Sequence, residues 1–231
     1  MGWPKVLRWG NYKFALLTGN VGEYFLNSVI VTIATLVITT IVSLMATYAL
    51  VRMKWKFQKV MYALLMLGLM IPIHASILPV MTILKKLHLL STYWALIIPY
   101  TAFDIPFTTM IFSGFMINIP REIEEAACID GCSIYKLLRK IIIPLMKPAI
   151  ATAAIFNFLN AWNELMFATL FINDDKYKTL TAGIQSMAGQ YVTEWGPIGA
   201  GLVIATFPTV IIYLFLAERV QSSLVAGAVK G

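Results

Sequence analysis

Residues 124–144 read EEAACIDGCSIYKLLRKIIIP. Three acids, three bases and a central glycine lie here between blocks nearly free of charge. Local chemistry resolves the stretch into two short helices and a turn. Pro120 suits a first helical turn, where a missing N–H costs nothing. Glu122, Glu124 and Glu125 follow, placing negative charge at the positive end of the helix dipole. Asp130-Gly131 stops the helix, because Gly131 is free to take a left-handed cap. Ser133 is placed to cap a second helix, whose last turns carry Lys136, Arg139 and Lys140 and whose apolar face is Leu137, Leu138 and Ile141. Pro144 is expected to end it.

The surroundings set the solvent. Hydrophobic residues make up 59% of the 231 and charged residues 13%, against about 25% charged in soluble domains. Mean hydropathy is +0.78. Apolar residues come in blocks of the length a bilayer core demands, near 25–50, 60–84, 93–117, 149–171 and 197–217. In lipid such blocks are helices, because backbone groups find no partner outside a helix or a closed barrel. The expectation is an all-α polytopic membrane protein of about five spans. Residues 1–22 form an external or interfacial segment, 23–217 a transmembrane domain containing a loop at 119–147, and 218–231 a cytoplasmic tail.

The net charge of +7 belongs to topology rather than to nucleic acid, since the basic residues sit at span ends instead of on one soluble face. Arg52, Lys54, Lys56 and Lys59 fall in one loop, and Arg121, Lys136, Arg139, Lys140 and Lys147 in the 119–147 loop. Alternate loops hold only Lys85 and Lys86, then Lys176 and Lys178. The positive-inside rule puts the 52–59 loop, the 119–147 loop and the C-terminus in the cytoplasm. The N-terminus then falls outside, against Lys5, Arg8 and Lys13. Either a further N-terminal helix is missing, or residues 1–22 lie on the membrane through Trp3 and Trp9. Cys128 and Cys132 lie in the cytoplasmic loop, where a disulfide is not expected. With no histidine or second pair nearby, they read as packing residues rather than a metal site.

Pro72, Pro79, Pro99, Pro106 and Pro208 fall inside the spans and are expected to kink them. Gly196, Gly199, Ala200 and Gly201 allow close helix approach, within the chain or to a partner. Asn157, Asn160, Asn163 and Glu164 fall near one helical stripe. Such a stripe lines a solute path or holds helices together. Asp104, beside Pro106, is a further intramembrane acid, expected at a helix break and facing a cavity or partner.

A charged two-helix insert has two uses in such a chain. It lies on lipid as an amphipathic anchor, or it docks into another protein. Acids in its first turn repel anionic lipid, and Ala126 and Ala127 offer a small surface instead of large anchors, so docking is the better reading.

This stretch resembles the EAA signature of ABC importer permeases: E-A-A, three residues, G, nine residues, then I-x-L-P. Glu125, Ala126, Ala127, Gly131, Ile141 and Pro144 match it, Asp130 lies within it, and Ile143 stands where leucine is usual. The resemblance extends through YFLNS (24–28), YALVRMKWKFQK (48–59), IPIHASILPV (71–80), WNE (162–164) and AGAVKG (226–231), which look like the carbohydrate-uptake branch. It is similar there to the smaller permease of maltose-type and glycerol-phosphate-type importers, which usually has six spans. The resemblance implies a type I importer transmembrane domain in a bacterial or archaeal cytoplasmic membrane. It implies a sugar as solute, and as partners a second permease subunit, an ATPase subunit dimer, an extracytoplasmic solute-binding protein and membrane lipid. Glu125 would anchor the coupling helix and Gly131 permit its bend. The chain has no G-x-x-x-x-G-K-[ST] phosphate loop, so ATP and Mg are expected on the partner ATPase, with no cofactor on this chain. Two other classes compete: an ion-coupled secondary transporter or channel using Asp104 and Glu164, and a membrane enzyme, for which His74 and His88 lack partner motifs.

Overall fold

The computed structural model describes residues 8–188 and 195–228, with side chains described to 214. Trp3, Lys5, the side chain of Arg219 and residues 229–231, including Lys230, lie outside the described residues. Every regular element among the described residues is helical. In order these are α1 (Gly10–Leu17), α2 (Val21–Val51), α3 (Gln58–Leu67), α4 (Ile77–Lys86), α5 (Trp94–Ile117), α6 (Arg121–Ile129), α7 (Ile134–Leu137), α8 (Ile143–Leu145), α9 (Lys147–Asn163), α10 (Met166–Phe171), α11 (Leu180–Ser186) and α12 (Trp195–Ala228).

α2 and α5 form the axis of the bundle. Ser28, Thr32, Thr35, Thr39, Ser43 and Thr47 are buried, three or four residues apart, along one face of α2. The opposite face presents Leu26, Ile30, Ile33, Val37, Ile41 and Met45 outward. This inverts a soluble helix, as a bilayer requires: small groups allow close helix approach while large apolar groups meet lipid. The Thr32, Thr35, Thr39 and Thr47 hydroxyls find no hydrogen-bond partner, so the stripe works through its size. Facing it, α5 buries Thr101, Thr108, Thr109 and Ser113.

The spans are less uniform than the sequence suggests. α2, α5 and residues Trp195–Leu214 of α12 are long and apolar enough to cross a membrane. Two further helix pairs pass the same test of length and composition only when joined across a bend, Gln58–Met70 with Ile73–Lys86 at 95° and Ile134–Leu145 with Lys147–Asn163 at 75°. Block 60–84 therefore breaks, with 3-10 turns on either side of Pro72. Gly68 sits at this break, where a Cβ would come within 2.9 Å of Pro106 Cγ. Block 149–171 divides after Asn163, where Glu164 turns extended. By contrast, α5 runs unbroken through Pro99 and Pro106, both buried by neighbouring helices, so Asp104 stands mid-helix instead of at a break. α12 likewise continues through Pro208, and the helix carries on beyond 217 to Ala228.

Two of the small residues opening α12, Gly196 and Gly201, serve contacts within the chain, while a Cβ on Gly199 would meet nothing within 4 Å. A Cβ on Gly196 would meet the Asn11 side chain of α1, and one on Gly201 would meet Ile184 of α11 and Val21 of α2. At the end of the bundle remote from α6, Asn27 donates to the Lys176 and Lys178 carbonyls, at 2.9 Å each, and accepts from Tyr93. Lys176 and Lys178 thus lie at the end opposite Arg52, as the charge asymmetry anticipates.

Candidate functional site

Two regions carry functional groups. The first is the α6–α8 unit. α6 ends in two nested bonds, Gly131 N–H to the Cys128 carbonyl at 3.0 Å and Cys132 N–H to the Ala127 carbonyl at 2.9 Å. Gly131 has φ +74°, the left-handed conformation this closure requires. The helix–turn–helix expected from Asp130-Gly131 is therefore present.

Details differ from expectation. Pro120 precedes the first turn, with extended ψ, and Ser133 leads into α7 without a side-chain cap bond. Pro144 does not end the second helix. Ile143 N–H bonds the Leu138 carbonyl five residues back, and this π-turn over Leu138–Ile142 widens the helix ahead of the proline ring.

The unit has distinct inner and outer sides. Glu124, Ala127, Leu137 and Ile142 point inward and are buried, while Ile141 and Cys132 are half-buried. Glu125, Ala126, Asp130, Gly131 and Pro144 are exposed, with Ile129 and Tyr135 beside them at 87% and 77%. Ala126 and Ala127 therefore do not share one surface, and Cys128 faces solvent instead of packing.

The inner side joins residues that are far apart in sequence. Arg52 Nε, one residue past α2, lies 2.7 Å from Glu124 Oε1, with both side chains nearly inaccessible. Arg52 Nη2 donates to the Met116 and Ile119 carbonyls at 2.8 and 2.6 Å. Tyr48 donates to Glu124 Oε2 at 3.2 Å. One guanidinium thus joins α2, the end of α5 and the first turn of α6. In the sequence Arg52 reads only as a loop charge.

The second region is a chamber of about 460 Å³ between α5, α9 and the two chain breaks. Tyr100, Phe103 and Asp104 line it from α5, Asn160 and Asn163 from α9, and Glu164, Ile73 and His74 from the breaks. The four-residue polar stripe divides here. Asn157 is fully buried away from the chamber and donates to Thr108 Oγ1 at 2.9 Å, so it holds α9 to α5. Asn160 reaches Asp104 Oδ1 at 3.5 Å, and Asn163 donates to its own helix at the Leu159 carbonyl.

Glu164 has left the helix. Its carboxylate accepts from the Phe167 and Ala168 N–H groups at 2.9 and 3.1 Å, capping α10, and from Tyr100 at 2.6 Å. The Thr181 hydroxyl fixes its carbonyl at 2.7 Å. No group of three or more potential metal ligands occurs among the described residues.

Relatives place this architecture. The chain is 38% identical over 211 residues to the probable ABC transporter permease protein YurM of Bacillus subtilis, covering 91% of this chain and 70% of that protein. It is 35% identical over 221 residues to the sulfoquinovosyl glycerol transport system permease protein SmoH of Agrobacterium fabrum, covering 96% and 78%. Its fold matches a bacterial ABC transporter involved in import of the acidic polysaccharide alginate, with TM-score 0.80 at 19% identity over 93% of this chain and 80% of that one. The MetNI methionine ABC transporter matches with TM-score 0.64 at 17% identity, covering 90% and 95%. The fold is thus that of an ABC importer transmembrane domain. The family described as binding-protein-dependent transport system inner membrane component matches residues 39–225, and the chain belongs to that family.

Proposed function

We propose that this permease carries a sugar or oligosaccharide across the cytoplasmic membrane, with ATP hydrolysed elsewhere and its work delivered through α6. An extracytoplasmic binding protein hands over the solute, and a second permease completes the path. The related permeases named for sugar-containing solutes support the solute class. ATP and Mg reside on an ATPase dimer. The ion-coupled alternative draws no support from these relatives.

The observation that carries the reading is the two-sidedness of α6. Glu125, Ala126 and Ile129 face outward while, on the inner side of the same helix, Glu124 is clamped to Arg52. An ATPase gripping the outer side would pull on a helix already bound to α2 and α5. Gly131 closes the handle, and Ala127 and Ile141 seat it, with Asp130 and Pro144 on its exposed side. At the other end of α9, Asn160, Asn163 and Glu164 border the solute path, with Asn157 behind them.

The test uses the purified assembly with its binding protein in vesicles. A sugar is expected to raise ATP hydrolysis several-fold and to accumulate inside. Uptake driven by an ion gradient without ATP, or stimulation only by non-sugar solutes, contradicts the proposal.

A further inference from the structure

We propose that residues 53–59, the turn from α2 into α3, bind an anionic phospholipid of the cytoplasmic leaflet, and that the bound lipid steadies the end of α2 to which α6 is clamped. The inference goes beyond the permease reading above and rests on it for the side, since that reading puts the α6 end of the bundle in the cytoplasm.

Cations and apolar side chains alternate in this turn. Lys54, Lys56 and Lys59 are exposed, and so are Met53, Trp55 and Phe57 among them. Lys56 Nζ lies 5.6 Å from the centre of the Phe57 ring, so charge and ring form one patch. The sequence holds no Asp or Glu between Glu23 and Asp104. The ion pairs among the described residues, Arg52 with Glu124 and Lys178 with Asp175, include none of the three lysines. Within the described residues these ammonium groups therefore have no acidic partner.

Position selects the source of the missing counter-charge. On one side of the turn α2 presents Ile41, Val42 and Met45 outward, and on the other α3 presents Val60, Met61, Leu64 and Leu67. Both surfaces suit lipid, and the turn joins them where the first span ends. Trp and Lys belong at that level, with rings among the headgroups and ammonium groups reaching the phosphates. Anionic headgroups of the cytoplasmic leaflet attract Lys placed directly beside a span. A zwitterionic surface would take the rings but leave three lysines without counter-charge. An acidic protein surface would satisfy the lysines, but it would have to enter the hydrocarbon edge to cover Val60 and Met61.

The last turn of α2 ties this patch to α6. Trp55 Nε1 donates to the Ala49 carbonyl at 3.0 Å, and Gln58 Nε2 donates to the Leu50 carbonyl. Arg121 of α6 reaches the next carbonyl, that of Val51, at 3.4 Å, and Arg52 holds Glu124. Consecutive residues 49–52 thus connect the turn to the handle. A lipid that fixes the turn fixes the point against which α6 pulls.

The test uses the complete importer, both permeases with the ATPase dimer and the binding protein, in vesicles of phosphatidylcholine with or without an equal amount of phosphatidylglycerol. Phe57 is replaced by photoreactive benzoylphenylalanine, and its adducts are identified by mass spectrometry. Phosphatidylglycerol should be captured at least tenfold over phosphatidylcholine, and high salt should erode that preference. Changing Lys54, Lys56 and Lys59 together to Gln should abolish the preference, and changing all three to Arg should keep it. Melting temperature should hold in both variants, because the side chains are exposed. Solute-stimulated ATP hydrolysis should rise severalfold with phosphatidylglycerol in the parent and the Arg variant and stay flat in the Gln variant. Capture of both lipids in proportion to their abundance overturns the binding site, as does an adduct at position 57 with the ATPase or the second permease. Equal lipid dependence of hydrolysis in the parent and the Gln variant overturns the link to α6. If the lipid preference is absent while the loaded importer still accumulates a sugar with ATP, this inference fails and the permease reading stands. If the preference holds but the loaded importer moves no sugar, the sugar-import reading fails and the lipid site stands.

Discussion

Arg52 Nε lies 2.7 Å from Glu124 Oε1, and this ion pair joins the end of α2 to the first turn of α6. The pair is buried, so removing one partner strands the other. Glu124→Ala is expected to cost about 3–5 kcal/mol, toward the lower end because Arg52 keeps its Met116 and Ile119 carbonyls. Replacing both, as Arg52→Met with Glu124→Leu, should recover part of that stability, because no charge is stranded but Tyr48 and the Met116 and Ile119 carbonyls lose their partners. If the pair transmits movement, this double variant stays folded yet loses solute-stimulated ATP hydrolysis. Melting temperature and stimulated activity, measured on the same samples, separate the two effects. Full stimulation in the stable double variant contradicts a transmitting role.

Gly131 offers a conformational test. A Cβ there would meet nothing within 4 Å, so space is not the constraint. Its φ of +74° is. Asn tolerates that region and a β-branched residue does not. Gly131→Asn should therefore couple nearly as the parent does. Gly131→Val should strain the turn by about 1–2 kcal/mol and reduce transport-linked ATP hydrolysis severalfold with assembly preserved. Equal activity of the two variants would remove the turn from the mechanism.

Asn157 and Asn160 lie one helical turn apart and should behave differently. Asn157 is buried against Thr108, so Asn157→Val should lower stability by about 1 kcal/mol, typical of hydrogen bonds between membrane helices. Asn160 is exposed to the chamber, so Asn160→Ala should leave melting unchanged and raise the solute concentration for half-maximal uptake. The reverse pattern, with Asn160 governing stability, would misplace the path.

How much of this was legible in the sequence follows from the range of each interaction. The helix–turn–helix at 121–143 was readable because its determinants, acids in the first turn and Asp130-Gly131, act within a few residues. Three of the five apolar blocks gave continuous spans for the same reason, and the other two break. The break at Glu164 was missed because WNE sits in an unbroken polar stripe, and only Tyr100, the Phe167 and Ala168 N–H groups and Thr181 reveal the side chain turning to cap α10. Pro106 and Pro72 look alike in sequence, yet one lies in a continuous helix and the other at a break. Pro106 is buried among its neighbours and Pro72 is exposed. The Ser/Thr spacing along α2 was a readable signal of its buried face. Nothing near Arg52 pointed to Glu124, since their meeting depends on how three helices end together.

The most direct measurement asks what the outer side of α6 touches. In a chain carrying Cys128→Ser and Cys132→Ser, Ala126→Cys places one thiol on the exposed face of α6. A short cysteine–amine cross-linker is applied to the intact, ATP-hydrolysing assembly in vesicles. The account predicts a covalent adduct with an ATPase subunit, with a yield that changes when nucleotide binds. Labelling of that thiol by a lipid-phase reagent, with no ATPase in any adduct, would contradict it.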